Sequence, residues 1–167
     1  LVFDVRDEGP VGGDVVVLLH GFPQTSASWD EVAAGLSAAG FRTLAPDQRG
    51  YSPRARPPGR LAYRQSELVA DVVALIDAAG VDRAHVVGHD WGGGVAWNLT
   101  MAHPERVRTL TAMSAPHPAA FVRAMATSSQ LLRSWYMFAF QPPWLAELAG
   151  PARDPEAFAR RLVASGL

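Results

Sequence analysis

The 167-residue chain is 49% hydrophobic and 19% charged, which suits one ordinary globular core, and its net charge of -1 argues against nucleic acid or an anionic membrane as a partner. It contains no cysteine, so disulfides, thiolate metal sites and cysteine nucleophiles are excluded. No apolar run approaches the roughly 20 residues needed to span a bilayer, and we expect a cytoplasmic protein.

Apolar runs that predict strands alternate along the chain with amphipathic stretches that predict helices. The predicted strands are "LVFDVR" (1–6), "VVVLLH" (15–20), "FRTLAPD" (41–47), "RAHVVGHD" (83–90) and "VRTLTAMSAP" (107–116). The predicted helices between them cover residues 28–40, 66–80 and 91–104. This succession predicts an α/β fold with a mostly parallel sheet and helices on both faces.

Local signals mark the ends of the first two helices. Ser28 as N-cap and Glu31 three residues later form a capping box, and Gly40 follows the last turn. The second helix also ends at a glycine, Gly80. We expect Asp71 and Asp77 to lie on the solvated face of this second helix.

The composition and the residue pattern of the sequence change after Pro116. Residues 117–150 are aromatic and helical without strand alternation, and residues 155–167 predict a further helix. We therefore divide the chain into a core over 1–116 and a helical segment over 117–167 that packs on the sheet.

The stretch "VGHDWGG" (87–93) lies where a predicted strand turns sharply into a helix. Small glycines flanking the turn expose its central side chain, Asp90, above the carboxyl edge of the sheet, as in a nucleophile elbow. The backbone N–H of Trp91, which opens the helix, favours negative charge at the same place. Two interpretations stay open: Asp90 is a catalytic nucleophile, or it is an aspartate that only caps the helix.

A second motif, "HGFPQ" (20–24), follows the buried strand. With it the chain resembles the α/β-hydrolase fold family and, within that family, the epoxide hydrolases. The motifs that carry the resemblance are "HGFPQ" (20–24), "DQRGYSPRARP" (47–57), "VGHDWGG" (87–93), "SAPHPAAF" (114–121) and "SWYMFAFQPPWLAE" (134–147). The resemblance implies that residues 117–167 begin a helical cap.

The resemblance also implies roles for individual residues. Asp90 attacks an epoxide carbon to form an ester, and its carboxylate, ionised at neutral pH, needs no base for this step. The backbone N–H groups of Phe22 and Trp91 form the oxyanion hole for hydrolysis of the ester. Tyr136 donates a hydrogen bond to the epoxide oxygen.

An apolar pocket is expected around these groups, and it favours a small hydrophobic epoxide as substrate. The residues expected to line it are Phe22, Pro23, Trp91, Trp135 and Phe138. The peptide bond between Phe22 and Pro23 is open to either a cis or a trans form. The chemistry requires no cofactor and no metal.

The histidines are interpreted as structural. We expect His20 to hold the loop over residues 20–24, which presents the Phe22 N–H, by hydrogen bonds. We expect His89 to pack beside the turn at Asp90. The histidines expected to lack an orienting acid are His85, His103 and His117. The family pattern requires a catalytic acid and a histidine beyond the cap, so we expect both outside this chain. The expected partners are a further C-terminal segment or a second copy in a homodimer.

Two other functions compete with epoxide hydrolysis. Haloalkane dehalogenases share the aspartate and the tryptophan after it, but they place an asparagine after His-Gly, where this chain has Phe22. The non-enzymatic alternative is a catalytically incomplete hydrolase fold kept for binding. Serine-type esterases are disfavoured because Asp90 stands at the nucleophile position.

Overall fold

The computed structural model describes residues 1–135 together with Arg160 and Ala164. Its strands are β1 (Val5–Glu8), β2 (Val15–Leu19), β3 (Arg42–Pro46), β4 (Ala84–His89) and β5 (Val107–Met113). They form one sheet in the order β1-β3-β2-β4-β5, in which β1 pairs antiparallel with β3 and every other neighbouring pair is parallel. The mostly parallel sheet predicted from the sequence is confirmed, although its first strand begins four residues later than expected.

The helices are α1 (Asp30–Ala38), α2 (Gln65–Ala78), α3 (Trp91–Ala102), α4 (Pro118–Thr127) and α5 (Gln130–Arg133). A short 3₁₀ turn, Ser26–Trp29, precedes α1, and for this reason the predicted capping box is wrong. Ser28 lies inside that turn, and its hydroxyl donates to the carbonyl oxygen of Thr25 at 2.8 Å. The predicted glycine stops are confirmed: Gly40 and Gly80 follow α1 and α2 with φ values of +92° and +75°.

Strand β2 lies at the centre of the sheet and is buried on both faces. Its residues Val15, Val17 and Leu19 pack with α2 and α3 in one apolar cluster. The alternate residues, Val16 and Leu18, pack with Trp29 and Ala33 on the other face. The helices thus cover both faces, as the period of two along a strand requires.

The loop after β3 is fastened to α2 by a largely buried ion pair. The guanidinium group of Arg49 donates two hydrogen bonds of 2.7 Å to the Asp71 carboxylate and a third of 2.7 Å to the carbonyl oxygen of Ala62. The side chains of Arg49 and Asp71 are 8% and 19% exposed, so the prediction of a solvated Asp71 is wrong. Asp77, whose side chain is 62% exposed, does lie at the surface, where it pairs with Arg106.

The chain divides into two compact units, Leu1–Pro118 and Ala119–Leu167. The first contains the whole sheet with α1, α2 and α3. In the second, the described residues up to Trp135 form the rest of α4 and all of α5. Among the residues that the structure describes, no helix is both long and apolar enough to cross a membrane.

Candidate active site

Asp90 lies between the last residue of β4 and the first residue of α3. Its backbone has φ +52° and ψ -117°, a conformation that non-glycine residues rarely adopt. The turn is tight enough that a Cβ added at Gly88 would collide with the backbone of Gly92, and one added at Gly92 would collide with the carbonyl of Leu19. The glycines predicted to permit a sharp turn therefore do so by allowing close backbone approach.

The Asp90 carboxylate does not cap the helix that follows it. No side-chain capping hydrogen bond is formed at the start of α3, so the helix-cap interpretation is wrong. Instead, Oδ1 of Asp90 accepts a hydrogen bond of 3.0 Å from the backbone N–H of Phe22. The backbone N–H of Asp90 donates to the carbonyl oxygen of Met113, which ties the turn to the end of β5.

One backbone donor contacts the carboxylate, and a second backbone N–H opens the helix that follows Asp90. The Phe22 N–H already contacts it, and the N–H of Trp91, as the first residue of α3, has no acceptor within its own helix. The positive end of the α3 dipole adds to the preference for negative charge at this position. The arrangement can stabilise a carboxylate, or an oxyanion that develops on its carbonyl oxygen.

The loop that presents Phe22 is held by buried His20. Nε2 of His20 accepts the backbone N–H of Gln48 at 3.1 Å, so the ring proton is on Nδ1, which donates to the carbonyl oxygen of Gly21 at 3.0 Å. Burial lowers the pKa of His20 and favours this neutral form. The side-chain amide of Gln48 donates a hydrogen bond to the carbonyl oxygen of His20.

The loop lies against the Asp90 side chain. A Cβ added at Gly21 would fall 2.6 Å from Cβ of Asp90 and 2.9 Å from its Oδ1. The peptide bond between Phe22 and Pro23 is cis. This settles the choice that the sequence left open.

The side chains of Phe22 and Trp91 are 49% and 53% exposed, so both present apolar surface in the first unit. Trp135, in the second unit, is also exposed. Tyr136 and Phe138 lie outside the described residues, and their predicted roles stay predictions. A cavity of about 280 Å³ lies elsewhere, and none of the predicted site residues lines it. Its lining includes Leu1 and Phe3, Val5 of β1, Pro46 and residues of α2.

The remaining histidines have identifiable contacts. His89 forms a 3.2 Å hydrogen bond with Gln24, His85 forms one of 2.7 Å with Thr109, and the ring of His117 packs edge-on against Trp97. His103 lies 3.4 Å from the Glu105 carboxylate, so the expectation that it has no acid is wrong. The short 3₁₀ turn at residues 104–106 brings these two side chains together.

One residue beside the loop that presents Phe22 was missed in the sequence analysis. Tyr51 packs its ring edge-on against His20, with centroids 4.6 Å apart. Its phenol is half-buried, and burial together with the negative charge of Asp90 raises its pKa. The motif over 47–57 contains Tyr51, but a loop residue 39 positions before Asp90 gives no local signal of proximity.

The fold and the site define the class: an α/β protein whose polar groups gather at the carboxyl ends of parallel strands. Residues 14–150 match the alpha/beta hydrolase fold family, and the chain belongs to that family. It is 41% identical to epoxide hydrolase A of Mycobacterium tuberculosis over 95% of this chain and 50% of the relative. It is 35% identical to epoxide hydrolase 4 of Homo sapiens over 87% of this chain and 40% of the relative.

Solved structures show the same similarity. The crystal structure of Bacillus megaterium epoxide hydrolase in complex with an inhibitor superposes with a TM-score of 0.86 at 32% identity. That superposition covers 98% of this chain and 56% of the other. The chain thus spans about half the length of these relatives.

Proposed function

We propose that the chain carries the nucleophile and the oxyanion hole of an epoxide hydrolase. The observation that carries this proposal is the Asp90 carboxylate, held at the end of β4 by the Phe22 N–H and free of any capping bond to α3. Relatives named epoxide hydrolases, at 35% and 41% identity, support the choice of substrate.

In the first step, a carboxylate oxygen of Asp90 attacks one carbon of the epoxide from behind. The carbon–oxygen bond of the ring breaks, and its electron pair goes to the epoxide oxygen, which takes a proton from the hydroxyl of Tyr136. The product of this step is an alkyl ester on Asp90. The apolar surface for a hydrophobic substrate is supplied by Phe22, Pro23, Trp91, Trp135 and Phe138.

In the second step, a water attacks the ester carbonyl and releases a vicinal diol. The negative charge that develops on the carbonyl oxygen is stabilised by the N–H groups of Phe22 and Trp91, each worth roughly 2.7–4 kcal/mol in comparable sites. A histidine and an acid must remove the proton from the water, and we propose that both lie outside these 167 residues.

His103, which has a carboxylate partner in Glu105, does not suit this task. His103 follows the last residue of α3, whereas Asp90 precedes the first, and the 12 residues of that helix separate them by about 18 Å. His20 is also unsuited, because both of its ring nitrogens already bond to the backbone.

A panel of substrates distinguishes the proposed reaction from its alternatives. The full-length protein should convert a hydrophobic epoxide to its diol and release no halide from a haloalkane, and Asp90→Asn should abolish turnover. Halide release would favour a dehalogenase, and binding without turnover of either substrate would favour a catalytically incomplete hydrolase fold. The cytoplasmic location and a homodimer stay predictions.

A further inference from the structure

We infer that Tyr51 is a positioning residue, whose ring fixes the oxyanion hole by holding the His20 imidazole against the Gly21–Phe22 peptide. This inference rests on the proposed function, because the step it affects is hydrolysis of the Asp90 ester. Its basis is one continuous set of contacts between the loop after β3 and the loop after β2.

The contacts begin at a single peptide unit. The carbonyl oxygen of Gly21 and the N–H of Phe22 belong to the same planar, trans peptide, so they point in opposite directions. The carbonyl oxygen accepts hydrogen bonds from Nδ1 of His20 at 3.0 Å and from the Gln24 N–H at 2.9 Å. Fixing this carbonyl therefore aims the Phe22 N–H at Oδ1 of Asp90, 3.0 Å away.

The orientation of the imidazole depends in turn on a tight turn after β3. The backbone N–H of Gln48 donates to Nε2 of His20, and the Tyr51 N–H donates to the carbonyl oxygen of Gln48 at 2.8 Å. The same turn places the Tyr51 ring 4.6 Å from the His20 ring at an interplanar angle of 80°. This edge-to-face contact opposes rotation of the imidazole about its bond to Cβ.

The ring of Tyr51, rather than its hydroxyl, carries this role. Within the part of the chain that the structure describes, the hydroxyl forms no hydrogen bond, whereas the ring has a defined contact. Tyr51→Phe therefore keeps the positioning contact and Tyr51→Leu removes it. Comparing the two variants therefore distinguishes the contribution of the ring from that of the hydroxyl.

The two chemical steps should respond differently. Attack on an epoxide places no new charge on the Asp90 carbonyl oxygen, whereas hydrolysis of the ester does. In the full-length protein, Tyr51→Leu should slow ester hydrolysis about tenfold in single-turnover experiments and leave ester formation unchanged, and Tyr51→Phe should restore hydrolysis. Equal slowing of both steps, no slowing of either, or failure of Tyr51→Phe to restore the rate would overturn the inference.

A second measurement does not depend on turnover. In the ¹⁵N-phenylalanine-labelled protein, the Phe22 amide proton should resonate downfield, because it donates a hydrogen bond to the Asp90 carboxylate. Tyr51→Leu should lose this downfield shift, Tyr51→Phe should keep it, and a shift retained in Tyr51→Leu would contradict the inference. If the wild-type protein forms no ester with any epoxide, the proposed function fails, and the amide shift alone decides the role of Tyr51.

Discussion

Replacing Gly21 by alanine should push the backbone at Gly21 and the turn at Asp90 apart and so displace the Asp90 carboxylate. Gly21 is not in the left-handed region, so alanine suits its conformation. Its new Cβ would lie 2.6 Å from Cβ of Asp90, whereas carbon atoms in contact are about 3.5–4.0 Å apart, so one of the two must move by about 1 Å. A misplacement of that size costs about 100-fold in rate, or about 2.7 kcal/mol of transition-state stabilisation.

The assay is the single-turnover rate of ester formation, followed by acid quenching and mass spectrometry of the Asp90 peptide. Gly94→Ala is the matched control, because a Cβ there meets no atom within 4 Å and lies inside α3. That control should react at the wild-type rate and gain up to about 1 kcal/mol in stability. Folded Gly21→Ala protein that forms the ester at the wild-type rate would refute the proposed packing of the loop on the nucleophile.

Three further predictions concern stability, each measured by urea unfolding. Asp90→Gly should be about 1 kcal/mol more stable than Asp90→Ala, because glycine relieves the positive φ; equal stabilities would mean that the turn stores no strain. Asp71→Asn should cost about 2 kcal/mol, because Arg49 loses two hydrogen bonds to a carboxylate while it keeps Glu67, 3.4 Å away, as a charged partner. Asp77→Asn, at an exposed pair, should cost under about 1 kcal/mol, and similar losses would contradict this ranking. Because the pKa of His20 is lowered in the folded protein, the unfolded chain binds this proton more readily, and the free energy of unfolding should fall as the pH drops below 6.5 toward the lowered pKa. His20→Gln should lose less stability over this pH range, and the same dependence on pH in the variant and the wild type would contradict the assignment.

The order of the elements could be predicted because each has a local signal. The continuous apolar run of β2 indicated a strand buried on both faces, and Gly40 and Gly80 ended their helices as expected. The start of α1 could not be predicted from Ser28 and Glu31, because a capping box and a preceding 3₁₀ turn use the same residue types.

Residue patterns alone could not predict the long-range contacts of the site. The glycine pattern around Asp90 predicted an exposed side chain, whereas the Phe22 N–H, 68 positions away, was expected near it only from the resemblance to a known family. The burial of Asp71 depends on Arg49, which reaches it from a different loop. Neither contact leaves a periodic pattern in the sequence, since each is formed only when the strands align.

The most direct test of the account is the fate of the water oxygen in a single turnover of the full-length protein in ¹⁸O-water. If Asp90 forms an ester that water attacks at the carbonyl carbon, the first diol released should carry no ¹⁸O, and mass spectrometry should find the label in the Asp90 carboxylate. A first diol that carries ¹⁸O, with an unlabelled Asp90, would show that water opens the epoxide directly and would contradict Asp90 as the nucleophile.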